Sequence, residues 1–78
     1  MNNITNPLLV VCYHSIKDII SGDYDITHQF GQEVIRITDW SFTGCPSFFQ
    51  LRKLVDALGC VVEDAEDEDE YVLEVYAK

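Results

Sequence analysis

Seven of the eight residues from Glu63 to Glu70 are acidic, in a chain of 78 residues with a formal net charge of −9. So much like charge cannot enter an apolar core, so the fold has to be built from what lies on either side of it. The run also limits partners. A surface of this sign repels a phosphate backbone and attracts cationic surfaces, which predicts no direct nucleic-acid ligand and a basic protein surface as the complement. Hydrophobic residues make up 47% of the chain and charged residues 24%, with four Tyr, four Phe and one Trp. This is the composition of a folded domain, not of a disordered one. One small domain over residues 1–78 is the expectation.

The residues on either side punctuate cleanly. Asn6 suits a helix N-cap, Pro7 the first helical position, and Gly22 a left-handed stop. Between them Leu9, Cys12, Tyr13, Ile16, Ile19 and Ile20 recur at steps of three and four, which predicts a helix over 7–21, although 8–13 is also strand-prone. Residues 24–30 and 33–40, rich in Ile, Thr, Val and aromatics, predict a hairpin about a Gly31-Gln32 turn. That register sets Ile26 opposite Ile37 and Tyr24 opposite Asp39. Tyr24, Ile26, Phe30, Ile35 and Ile37 then share one face, and Asp25, Thr27, Gln29, Val34, Arg36, Thr38 and Trp40 the other.

Ser47 and Gln50 form a capping-box pattern, Gly59 marks a stop, and Phe48, Leu51, Leu54, Val55 and Leu58 make a helical stripe. A second hairpin follows, with 60–64 as one arm, the acidic run as its tip, and alternation from Tyr71 to Lys78 as the other arm. The fold class is therefore α+β, in the order αββαββ: a four-stranded antiparallel sheet with two helices packed on one face. The free face would carry Thr27, Gln29, Arg36, Thr38, Trp40, Glu74 and Tyr76.

Three cysteines, Cys12, Cys45 and Cys60, match no disulfide framework and no C-x-x-C pair, which predicts a reducing, cytoplasmic setting. The apolar run from Leu8 to Tyr13 is too short for a membrane span or a signal-peptide core. His14 and His28 lack the spacing of metal ligands, and the acidic run lacks the alternating spacing of a calcium loop, so no cofactor and no metal are expected. His14 reads as an exposed helix residue and His28 as half-buried. Trp40 and Phe42 can be read either as partner anchors or as a wedge between sheet and helix.

Cys45-Pro46 at the start of a helix, where backbone N–H groups favour a thiolate, resembles the motif of small sulfur-carrier proteins of the TusA type. That resemblance implies persulfide transfer through Cys45. It covers only a few residues, and the second proline of that motif is Phe48 here. In size and charge the chain is similar to small acidic inhibitors from phages and mobile elements, including DNA mimics and anti-CRISPR proteins. That likeness is compositional.

The leading expectation is a non-enzymatic binding protein, monomeric or a small homo-oligomer. It would use Glu63, Asp64, Glu66, Asp67, Glu68, Asp69 and Glu70 for steering, with Arg36, Trp40 and Tyr76 on the sheet face as contacts. A thiol protein using Cys45 and a self-associating regulatory module are the alternatives.

Overall fold

The computed structural model describes residues 4–44, 47–67 and 70–78. The order is α1 (Pro7–Ile16), β1 (Ile20–Gln29), β2 (Gln32–Phe42), α2 (Phe48–Ala57), β3 (Cys60–Asp67) and β4 (Glu70–Ala77). All pairings are antiparallel and the strand order is β1-β2-β4-β3. The second strand of each hairpin is central, so the two helix–hairpin halves meet at the β2–β4 seam. The αββαββ expectation holds.

One face of the sheet and both helices make the core. Leu9, Cys12 and Ile16 of α1 and Leu51 and Val55 of α2 meet Ile20, Ile35, Ile37, Cys60, Val62, Leu73 and Val75. Across the seam Ile35 sits opposite Val75 and Ile37 opposite Leu73, so side chains of one parity carry the burial. In α2 the Ser47 hydroxyl accepts from the Gln50 N–H at 3.2 Å, and Gly59 (φ +82°) ends the helix. Leu54, expected in the buried stripe, lies at its margin and is 36% exposed.

α1 starts as expected, with the Asn6 side chain accepting from the Leu8 N–H at 3.0 Å. It stops at Ile16, several residues short of 21. Ile20 opens β1 opposite Phe42, and the Ile19 carbonyl accepts from the Thr43 N–H at 2.8 Å. The β-branched pair Ile19-Ile20 therefore serves the sheet, where such side chains pack well. Tyr24 closes this corner by donating its hydroxyl to the Ile20 carbonyl at 2.6 Å.

Gly22 is consequently not a helix stop but lies inside β1, at φ +156°. Asp39 and Trp40 together oppose it, forming a two-on-one bulge with Asp39 at φ +51°. A Cβ at Gly22 would lie 2.8 Å from the Thr38 carbonyl oxygen and 2.9 Å from Ile37 Cγ2, so this close approach requires glycine.

The first hairpin turns at Phe30-Gly31, not Gly31-Gln32. Both residues have positive φ (53° and 78°), as a type I′ turn demands. Moving the turn by one residue slips the register by two, so Ile26 faces Ile35 and Tyr24 faces Ile37. The strand residues between the turn and the bulge keep their predicted faces. Phe30, expected on the core side, is instead fully exposed at the tip.

Candidate interaction surface

The acidic run is mostly strand. β3 continues through Asp67, and its ladder with β4 pairs Glu63 with Glu74, Asp64 with Leu73, Ala65 with Val72, Glu66 with Tyr71 and Asp67 with Glu70. The expected arm at 60–64 with a long acidic tip is corrected accordingly. Glu68 and Asp69 lie outside the described residues. Because β3 is an outer strand, the part of the run from Glu63 to Asp67 lies along one edge of the sheet, with Glu63 and Asp64 exposed.

The edge has a defined polarity. The Gly59 carbonyl accepts from the Lys78 N–H at 3.1 Å. Residues of β3 two apart from Gly59 therefore exchange backbone bonds with β4, and those between them, Asp64 and Glu66 included, point their N–H and C=O groups outward.

On the face away from the helices, Asp25, Arg36, Glu74 and Glu63 stand directly opposite one another in turn, forming a row across all four strands. Three carboxylates and one guanidinium thus share the row, with Asp25 and Glu74 on either side of Arg36. Arg36 Nε lies 3.4 Å from Glu74 Oε2, and the Gln29 side-chain amide donates to the same oxygen at 2.9 Å. Glu63 accepts the Tyr76 hydroxyl, and that hydrogen bond to a carboxylate raises the Tyr76 phenol above its ordinary value. Like charges directly opposite in a ladder repel. Here Glu63 and Glu74 are each engaged by a different neighbour, which offsets part of that repulsion. Asp25, Gln29, Glu63 and Glu74 belong to this cluster as much as Arg36 and Tyr76 do. Only the cross-strand register reveals it, and the slip of two in the first hairpin concealed the pairing of Asp25 with Arg36.

This face is not uniformly wet. Val34 and Val72 lie on it and are 2% and 0% exposed. Thr27 Oγ1 is buried without a hydrogen-bond partner among the described residues. Trp40, expected on this face, is not there. The bulge at Asp39 reverses the alternation, so Trp40 and Phe42 pack against the core, with ring centroids 5.1 Å apart.

Glu33 has a role that the sequence reading missed. Its carboxylate accepts from the Thr5 N–H at 2.9 Å and the Asn6 N–H at 2.7 Å, tying the start of α1 to β2. Those backbone bonds, the one from Thr5 foremost, hold its carboxyl below the ordinary value. His28, opposite Glu33, is exposed instead of half-buried, and His14 is exposed as expected.

Cys45, with the sulfur-transfer reading attached to it, lies outside the described residues. Among the described residues no three His, Cys, Asp or Glu side chains converge as a metal-holding group, and no helix is long and apolar enough to cross a membrane. Comparison of the chain with protein-family models, with curated proteins and with solved structures found no match.

Proposed function

We propose that this protein is a non-enzymatic binding protein whose acidic sheet edge occupies a basic surface of another macromolecule. The observation that carries this reading is the pairing of the acidic run into β3 and β4, where strand geometry spaces alternate residues by about 6.7 Å. A solvated loop would average its charges over many conformations. An edge strand holds part of the run at fixed spacing, and the row through Arg36 and Glu74 extends the charged surface over the free face. Negative potential speeds encounter with a cationic partner, and Tyr76 adds an aromatic contact.

A second reading is favoured by the place of the run at an outer strand. Carboxylates along an edge oppose pairing with a second copy of the same edge, a common protection against aggregation. The two readings separate experimentally. A partner captured from the native host is tested for binding rate as ionic strength increases, with wild type and with a variant in which Asp67, Glu68 and Asp69 become Asn, Gln and Asn. The binding reading predicts a rate that falls steeply with salt for the wild type and only shallowly for the variant. Equal rates and equal salt slopes, together with aggregation of the variant, would leave edge protection as the function of the run.

A further inference from the structure

Cys12 in α1 and Cys60 at the start of β3 are distant in sequence, yet both are fully buried in one apolar cluster. The Cys60 thiol donates to the Leu8 carbonyl at 3.6 Å, and Leu8 lies one helical turn before Cys12. The Cys60 sulfur therefore rests against the turn that carries Cys12. Burial, foremost, pushes the Cys12 thiol up to about 12, and the neighbouring Cys60 adds to the rise. A cysteine sulfur resting on the helical turn that carries the other cysteine, within one core cluster, is placed for the short span of a disulfide.

Both cysteines are closed to solvent, so oxidation proceeds through local opening, and a pocket reaches the pair from the Cys60 side. Cys60 forms part of the wall of a shallow pocket between α2 and β3, together with Arg52, Asp56, Val61 and Val62. Burial raises the Cys60 thiol above its ordinary value, and Lys78, itself paired with Asp56, offsets part of that rise. Arg52 in the pocket wall and Lys78 beside it, offset in part by Asp56, give this pocket a cationic side suited to a small anionic disulfide.

We propose that Cys12 and Cys60 are a redox site, oxidised by a low-molecular-weight disulfide to a single intramolecular bond that fastens α1 to β3. The Cys60 thiol loses its proton, and its sulfur attacks one sulfur of the small disulfide. The S–S bond of the small molecule breaks, and its other half leaves as a thiolate. The Cys12 thiolate, its proton also lost, then attacks Cys60 Sγ and expels the second half. Two protein thiols lose two electrons, one small disulfide gains them, and the two released protons complete two small thiols.

This inference is independent of the binding reading above. The test uses the Cys45→Ser protein, so that only the pair remains, incubated with oxidised glutathione. The expected product has lost two hydrogens, retains no glutathione, gives one linked peptide containing Cys12 and Cys60, and unfolds at a temperature higher by on the order of 10 °C. Adding Cys12→Ala should abolish the link. Glutathione that persists on Cys60 with Cys12 present, thiols that stay reduced while Cys45 in the wild type is consumed, or a link that fails to raise the unfolding temperature would each overturn the proposal.

Discussion

The two hairpins occupy equivalent places about the β2–β4 seam, yet they are specified in opposite ways. The first has a tight turn, a bulge and apolar cross-strand pairs, within a half-chain of five acidic and two basic residues over 1–44. The second lies in a half with nine acidic and three basic residues over 45–78, and its ladder runs without a register shift through two pairs of facing carboxylic residues, Glu63 with Glu74 and Asp67 with Glu70. Turn and bulge fix the first hairpin locally. The second depends on Val62, Leu73 and Val75 at its base, and pairing toward its tip persists against like-charge repulsion. The same topology can therefore present a stable scaffold on one side and a charged edge on the other.

The largest effects belong to the seam that both hairpins share. Ile37→Ala and Leu73→Ala remove opposed, fully buried side chains and should each cost about 3 kcal/mol in chemical denaturation. The paired variant should lose less than the sum, because the two cavities merge. A large loss at one position beside a negligible loss at the other would show that the halves do not share a core.

Glycine substitutions sharpen the contrast within the first hairpin. Gly22→Ala forces a Cβ against backbone and should cost about 2–3 kcal/mol, whereas Gly31→Ala meets no atom within 4 Å and should cost about 1 kcal/mol through its positive φ alone. At the same tip, Phe30→Asn should stabilise by about 0.5–1 kcal/mol, since asparagine tolerates the left-handed region better than phenylalanine does. Thermal unfolding of the three variants checks the ranking.

Acid separates the halves again. The Glu33 carboxyl is held below its ordinary value in the folded state, so its contribution is present above about pH 4.3 and is lost as pH falls through the lower folded value. Glu33→Gln should lower the unfolding temperature by a few degrees at neutral pH and flatten its decline in acid. A decline in acid as steep as that of the wild type would assign the acid sensitivity elsewhere.

The smallest effect is at the charged ladder. Glu63→Gln removes one of two facing charges, and its change should stay within about 0.5 kcal/mol and shrink with added salt, because the Tyr76 hydrogen bond can pass to the amide.

Much of this was legible in the sequence. Period and caps located α2, and alternation assigned most sheet residues to the correct face, including those of a hairpin whose register was off by two. One misread glycine accounts for two further errors. Taking Gly22 as a helix stop lengthened α1, and it hid the bulge that carries Trp40 to the core side. No local signal marked Phe30 as a turn residue, since a bulky side chain is disfavoured at positive φ. The acidic run read as a loop because Asp and Glu are depleted in strands. The partner strand from Tyr71 to Ala77, anchored by Leu73 and Val75, supplies the pairing that overrides that preference.

Cross-strand contacts between backbone protons in nuclear magnetic resonance report directly on whether the acidic edge is ordered. An ordered edge gives contacts across Asp64 with Leu73 and Glu66 with Tyr71, continuing to the Asp67–Glu70 pair. Contacts that end at Glu63 with Glu74, with no cross-strand signal beyond, would return the run to a solvated tip and remove the structural basis for a preformed acidic binding edge.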